Sequence, residues 1–282
     1  MSQPAGTLYV IATPIGNRDD ISARALKTLG EVDLIAAEDT RNSGSLMAHF
    51  GIHTPLAALH EHNERSASRG LLEKLESGLS VGLISDAGTP GISDPGALLV
   101  DAALAAGVRV VPIPGPSALT ALLSVAGFAA GPTLFYGFLP PRNGPRERTL
   151  EKLRTLQATL VFYEAPHRIE ACMEALARVL GAERQVVIGR ELTKLFETVH
   201  RTTLAGALGW LAADPNHRRG EFVLAVEGAP ADDSPDPSSC DRLLKALLEK
   251  LSVGDAVRVA VEATGLGRKL LYERALVLSE RR

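Results

Sequence analysis

Val81–Gly96 reads VGLISDAGTPGISDPG, and the passage from its first five residues into the other eleven decides the fold. Val81–Ser85 is a short, near-continuous apolar run, the pattern of a strand buried on both faces of a parallel sheet. Ser85–Gly96 then places Gly88, Gly91, Gly96 and Ala87 where a ligand can touch backbone N–H and C=O groups directly. Loops at the carboxyl ends of parallel strands are where open α/β sheets bind their ligands. Asp94–Pro95 reads as a helix N-cap followed by proline in the first turn. Asp86 and Asp94 offer anionic acceptors, which suit ribose hydroxyls or a cationic ligand better than a triphosphate. The phosphate-binding signature GxxxxGKS or GxxxxGKT is absent.

Outward from this loop, the first half of the chain repeats one rhythm. Thr7–Ala12, Val32–Ala36 and Val108–Pro112 read as further buried strands, with Leu56–Leu59 a short one. Helical spacing of Leu and Ala marks Ile21–Leu29, Arg41–His49, Arg65–Glu76 and Ala97–Ala106. Strands alternating with helices predict a mostly parallel sheet covered on both faces, over residues 1–130 and ending at the glycine–proline cluster GFAAGP. Residues 131–228 carry strands at Thr133–Phe138, Thr159–Glu164, Gln185–Arg190, Glu197–Thr203 and Glu221–Glu227. Helices fall at Arg146–Leu156, Arg168–Leu180 and Leu204–Ala213. Too few residues separate Gln185–Arg190 from Glu197–Thr203 for a crossover helix, so this second α/β domain has a mixed sheet. Residues 229–239, APADDSPDPSS, read as a linker. Residues 240–282 carry three short helices, a helix-turn-helix-like module.

Composition bounds the function. The chain has 282 residues, 45% hydrophobic and 22% charged, with a formal net charge of −3. That balance fits a globular enzyme and argues against bulk electrostatic coating of nucleic acid. Two basic islands stand out: Arg142–Arg154, with five basic and two acidic residues, and Cys240–Arg282, with nine and six. Either can grip a phosphate backbone locally or be a solvated helix face. No signal peptide or membrane anchor is read. Cys172 and Cys240 lie far apart, so neither a zinc site nor a disulfide framework is expected, and a cytoplasmic location fits.

Two further loops, TPIGN (Thr13–Asn17) and PIPGPSA (Pro112–Ala118), follow the first and fifth strands. In a parallel sheet all three loops fall on one edge and line one cleft. Together with AEDTR (Ala37–Arg41), FYEAPHR (Phe162–Arg168), RELTK (Arg190–Lys194) and RGEFVLAVEG (Arg219–Gly228), in this order, they resemble the tetrapyrrole-methylase superfamily. The resemblance is closest to its bacterial branch that 2′-O-methylates a decoding-region cytidine of small-subunit ribosomal RNA. It covers Thr7–Gly228, and the tail is similar to that branch's helical module. The resemblance implies two α/β domains with S-adenosylmethionine in the cleft between them, a homodimer, and the assembled small ribosomal subunit as substrate.

Carried over residue by residue, it implies a first cofactor wall of Pro14, Ile15 and Gly16, then Asp86, Ala87, Gly88, Thr89, Pro90, Ile92 and Asp94, then Ser117 and Ala118. The second wall comprises Tyr136, Gly137 and Phe138, Arg190, Glu191 and Leu192, and Glu221, Phe222 and Val223. Catalytic candidates are Glu38, Asp39, Glu61 and Lys194. A base that removes a hydroxyl proton during methyl transfer typically adds about 10²–10⁴ in rate. Glu38 and Asp39 serve equally as helix caps, and Lys194 either meets phosphate or pairs with Glu191. His60 and His62 alternate as on an extended segment and point to opposite sides, which disfavours a metal. Glu164 and Arg168 read as a local ion pair, and Cys172 as a packed thiol. Arg142, Arg146, Arg148, Lys152, Arg268 and Lys269 are the RNA-contact candidates. Two alternatives stand beside RNA methylation: a small-molecule tetrapyrrole methyltransferase, and a non-enzymatic ribosome-binding factor.

Overall fold

The computed structural model describes residues 5–129, 131–230 and 240–280. The first five strands, β1 (Thr7–Ile11), β2 (Leu34–Ala37), β3 (Leu56–Ala58), β4 (Val81–Ile84) and β5 (Arg109–Ile113), form a sheet in the order β3-β2-β4-β1-β5. Every neighbouring pair is parallel. Its two faces alternate along each strand, as the pleat requires. Leu8 and Val10 of β1 pack with Leu71 and Leu75 of α3 (Glu64–Glu76) and Leu99 and Ala103 of α4 (Ala97–Ala105). Tyr9 and Ile11 face the other way, with Ala25 and Leu29 of α1 (Ala23–Glu31) and Met47 of α2 (Thr40–His49). All the loops that leave this sheet at strand C-termini therefore share one edge.

A helix absent from the sequence reading follows β5. α5 (Ala118–Ala126) is mostly apolar, with a polar face of only Thr120 and Ser124. The second sheet explains its composition. β6 (Thr133–Phe138), β7 (Thr159–Glu164), β8 (Gln185–Arg190), β9 (Thr198–Thr203) and β10 (Phe222–Val226) run in the order β6-β7-β10-β8-β9. β6 and β7 are parallel and the remaining pairs antiparallel, including β8 with β9. Leu122 and Ala126 of α5 pack on one face of this sheet, against Val161, Val187, Val223 and Ala225. The other face carries the helices α6 (Asn143–Leu153), α7 (Ile169–Leu180) and α8 (Leu204–Ala213). α5 thus packs on the second sheet, although it precedes the glycine–proline cluster at which the first domain was expected to end.

Residues up to Ala229 make one compact unit and residues from Pro230 a second. The linker expected at 229–239 lies, from residue 231 on, outside the described residues. In the second unit, α9 (Asp241–Leu248), α10 (Val253–Thr264) and α11 (Arg268–Glu280) enclose their own core of Leu244, Val257, Ala260, Leu271 and Ala275. The Arg274 guanidinium clamps both oxygens of Asp241, at 2.7 and 2.6 Å. Gly265, at φ +71°, closes α10 and makes the turn into α11. Among the described residues no helix is long and apolar enough to cross a membrane.

Candidate functional site

The loops after β1, β4 and β5 are stitched to one another by hydrogen bonds. Thr13 N–H donates to the Gly88 carbonyl at 2.8 Å, and Gly88 N–H returns a bond to Thr13 at 3.1 Å. The Thr13 hydroxyl, fully buried, donates to the Ser85 carbonyl at 3.1 Å. Thr89 Oγ1 donates to the Pro116 carbonyl at 3.2 Å. Gly88 holds φ +82°, a backbone that a side chain would strain. Buried backbone groups are thus satisfied loop to loop, which leaves a preformed wall.

That wall faces a cleft of about 370 Å³. Ile15, Ala87, Gly88, Thr89, Ile92, Asp94, Ser117 and Ala118 line it from the first side. Phe138, Leu192, Glu221, Phe222 and Val223 line it from the second sheet. β6 reaches it through a bulge at Gly137, whose φ of +78° and close approach to Ser93 leave no room for a side chain. A Cβ at Gly137 would stand 2.9 Å from Ser93 Oγ. The volume lies within the range of about 300–1,000 Å³ usual for small-molecule sites.

Sequence reasoning missed Ser93, Tyr163, Glu164, Ala165, Pro166 and Gly189, which also line the cleft. Four of these fall in FYEAPHR and its flank, a segment quoted for its resemblance but given no ligand role. Glu164 has no exposed side-chain surface and pairs with Arg168 Nε at 2.9 Å. Tyr163 stacks edge-on with Phe135 and Phe138, at centroid distances of 4.9 and 5.7 Å. Pro14, Gly16 and Asp86 line a separate pocket, and Pro90 an apolar groove beside α4. Tyr136 is exposed on β6, and Glu191 stands behind Lys194. Arg190 is buried under the loop that follows β8 and donates to the Phe196 carbonyl at 3.3 Å.

Acidic groups gather where β2 and β4 end. Asp39 caps α2, accepting from Arg41 N–H at 2.8 Å. Its hydrogen bonds from the Arg41 side chain and backbone hold its carboxyl down at about 2. Glu38 is pushed above the carboxylate range by burial, with the charges of Asp86 and Asp39 adding to it, although the Asp86 N–H and His60 pull the other way. Burial raises Asp94 to about 6 against a stabilising bond from Ser85, and the nearby Glu38 and Asp86 charges raise it further. The N-cap expected at Asp94 is not formed. Gly96 occupies the cap, and Glu64 of α3 accepts from Gly96 N–H at 2.7 Å and Leu98 N–H at 3.1 Å. With α4 capped by Glu64, Asp94 is left to line the cleft.

Of the four catalytic candidates only Lys194 lines the cleft. Its ammonium lies 3.0 Å from Glu191 Oε1 and 2.8 Å from Glu221 Oε2. Burial works against its charge, but the two carboxylates outweigh burial and raise it above the ordinary lysine value. It is a held cation rather than a base. Glu61 is exposed in the turn before α3, outside the cleft. That turn also corrects the reading of its neighbours: His60 and His62 are not on an extended segment, and their rings lie 6.0 Å apart in edge contact. Among the described residues no group of three or more His, Cys, Asp or Glu is placed to hold a metal.

The basic island in α6 divides. Arg142, Arg148 and Lys152 are exposed, as are Arg268 and Lys269 in the second unit. Arg146 is not an RNA contact: it is 1% exposed and donates to the carbonyls of Pro140 and Pro141 at 3.1 and 2.9 Å. The helix starts at Asn143, three residues earlier than its spacing indicated, and Arg146 shares its buried face with Leu150 and Leu153.

Comparison with known proteins sets this geometry in context. The family model described as Tetrapyrrole (Corrin/Porphyrin) Methylases matches residues 7–207, and that described as RsmI C-terminal HTH domain matches 234–279. The chain is 50% identical over 274 residues to the Ribosomal RNA small subunit methyltransferase I of Pseudomonas aeruginosa, covering 96% of this chain and 97% of that protein. It is 45% identical to the protein of the same name from Haemophilus influenzae, over the full length of both. Among solved structures, the methyltransferase CobJ aligns with a TM-score of 0.59 at 19% identity, covering 80% of this chain and 95% of that one. Diphthine synthase aligns at 0.58 and 16% identity, covering 79% and 90%. At these identities the two structures speak for the fold alone.

Proposed function

The chain belongs to the tetrapyrrole (corrin/porphyrin) methylases, and from that premise we propose that it moves a methyl group from S-adenosylmethionine to a ribose 2′-hydroxyl of small-subunit ribosomal RNA. The observation that carries the reading is the near full-length identity to proteins named ribosomal RNA small subunit methyltransferase I. The finer reading is a decoding-region cytidine, in an assembled subunit, modified by a cytoplasmic homodimer.

The cleft fits the cofactor. Apolar walls from Ile15, Ile92, Leu192 and Phe222 suit an adenine ring. Asp94 offers a carboxylate to ribose hydroxyls or to positive charge. When bound, S-adenosylmethionine supplies a methyl group on a positively charged sulfur, open to in-line displacement. The protein's part is then chiefly to hold the acceptor oxygen in line, an orientation effect worth up to about 7–11 kcal/mol in the best cases. Lys194, fixed by Glu191 and Glu221, keeps the two loops that meet at Gly16 in register: a Cβ there would fall 2.3 Å from Lys194 Cγ. Arg142, Arg148 and Lys152 of the first unit, with Arg268 and Lys269 of the second, are the phosphate contacts of this reading.

The test is transfer from labelled S-adenosylmethionine to purified small ribosomal subunits, with naked ribosomal RNA and a tetrapyrrole precursor in parallel. Label on a ribose in the subunit sample is the expected result. Label in the tetrapyrrole alone would overturn the substrate while leaving the fold and donor standing.

A further inference from the structure

A hydroxyl that gains a methyl group must give up its proton, and a side chain in the same cleft assists by receiving it. Five titratable side chains line the cleft: Asp94, Tyr163, Glu164, Lys194 and Glu221. Four of them are committed elsewhere. Lys194 is held in its charged form by Glu191 and Glu221, and an ammonium has no lone pair to offer. Glu221 is the other half of that pair, at 2.8 Å. Glu164 has no exposed surface, pairs with Arg168 Nε at 2.9 Å and accepts from Ala165 N–H at 2.9 Å. Tyr163 is pushed above its ordinary value by burial and keeps its phenolic proton.

Asp94 is the exception. It makes no ion pair among the described residues. The groups that act on it are the Ser85 hydroxyl and two further acids, Glu38 after β2 and Asp86 after β4. Across the cleft it faces Tyr163 of β7, whose proton it helps to retain. The helix that follows does not need Asp94 as a cap, because Glu64 takes the Gly96 and Leu98 N–H groups. The chain also spends conformational strain here. Ser93, Glu191 and Thr193 are the only residues other than glycine with left-handed backbone among the described residues, at φ +67°, +50° and +66°. Ser93 precedes Asp94 and lines the cleft, while Glu191 and Thr193 alternate with Leu192 and Lys194 on the opposite wall. Such backbone persists only where its surroundings enforce it, and it clusters at active sites. The Asp94 loop meets β6 at Gly137, where a Cβ would stand 2.9 Å from Ser93 Oγ. Next to Gly137 is Phe138, half-exposed where it lines the cleft, so this part of the cleft is open to solvent.

We propose that Asp94 is the catalytic base: its carboxylate, on the solvent side of the cleft, accepts the proton of the ribose 2′-hydroxyl during methyl transfer. The inference rests on the functional reading above. The ribose oxygen forms an O–C bond as the sulfonium S–C bond breaks to leave a thioether. The hydroxyl proton passes to the Asp94 carboxylate and from there to solvent at the mouth of the cleft. Burial, with the charges of Glu38 and Asp86 behind it, brings the carboxyl to about 6, and a base works best when its pKa lies near the working pH. A positively charged sulfur beside it pulls the other way, which keeps the carboxylate ionised at pH 7.5.

The test is the single-turnover rate on small ribosomal subunits, with the full chain in excess and S-adenosylmethionine saturating, so that cofactor affinity no longer enters. The native rate is expected to rise with pH and to level off at or below about 6. Asp94→Asn should be slower by about 100-fold or more at pH 7.5 and should lose the acid limb. Asp94→Glu keeps a base and should recover part of the rate together with the limb. A near-native rate in Asp94→Asn, or the same acid limb in that variant, would overturn the base and leave Asp94 as a cofactor contact, with the functional reading intact. Failure of the native chain to methylate subunits would overturn that reading and the base with it.

Discussion

Asp94→Asn separates what the site costs the fold from what it gives the ligand. Asp94 lines the cleft with its carboxyl raised from 3.8 to about 6, first by burial and then by the charges of Glu38 and Asp86. A rise of about two units corresponds to ~3 kcal/mol at 1.36 kcal/mol per unit. Asp94 is only half-buried, so solvent screening reduces this to about 1 kcal/mol. The sign follows from linkage. The folded carboxyl has the higher pKa, so the native state is penalised for holding the charge at any pH above about 6. The penalty fades as pH falls from 6 towards 3.8 and is absent below both values.

Asp94→Asn is therefore expected to be more stable than the native chain at pH 7.5, by about 1 kcal/mol in urea unfolding. The gap should shrink through pH 5 and close near pH 4. Its affinity for S-adenosylmethionine should move the opposite way, falling on the order of tenfold at pH 7.5 as a charged acceptor is lost. The native chain should bind the cofactor more tightly at pH 7.5 than at pH 5, and the variant should lose most of that dependence. A variant less stable than the native chain at pH 7.5, or a stability gap indifferent to pH, would refute the electrostatic account of this position.

Arg146→Met should destabilise the first unit by about 2–4 kcal/mol, because the carbonyls of Pro140 and Pro141 lose a charged donor, whereas exposed Arg148→Ala should shift urea midpoints little. Gly137→Val forces a positive φ and a clash with Ser93, so calorimetry should find cofactor affinity sharply reduced while the far-ultraviolet circular dichroism is retained. Lys194→Met frees Glu191 and Glu221 to repel each other, and its activity loss should exceed that of Glu38→Gln in the subunit assay. Deleting residues 240–282 should raise the KM for subunits while S-adenosylmethionine binding survives; an unchanged KM would remove the RNA role assigned to that unit.

Alternation of apolar strands with amphipathic helices made the first sheet readable, because each strand buried on both faces must lie parallel to neighbours covered by helices. The second sheet was readable from its short β8–β9 connection. α5 was not: ALTALLSVA has only Thr120 and Ser124 as a polar face, and Leu122 and Ala126 pack on a sheet that follows it in sequence. Arg146 was misread for a related reason. A basic residue in a polar segment reads as surface, although Arg146 stands at helical spacing from Leu150 and Leu153 on the buried face of α6. The first cleft wall was legible because glycine-rich loops after parallel strands announce themselves. Glu164 and Pro166 were not, because a strand end carries no composition that distinguishes a ligand wall from an ordinary edge.

Asp86 shows how the residues of one loop divide between two spaces. Its loop implies a place in the cleft wall, yet its two oxygens are held by Asp39 N–H and Asn42, and it lines the separate pocket beside Pro14 and Gly16. The loops after β1 and β4 send their residues in two directions, in short runs rather than by strict alternation. Ile15 with Ala87 and Gly88 take the first direction, and Gly16 with Asp86 take the second. A cleft that orients its ligand needs a wall that does not move, because orientation is lost when the wall shifts. Two loops joined by a reciprocal pair of backbone hydrogen bonds supply such a wall, and this ties the Thr13–Gly88 bridge to the cleft as well as to the fold.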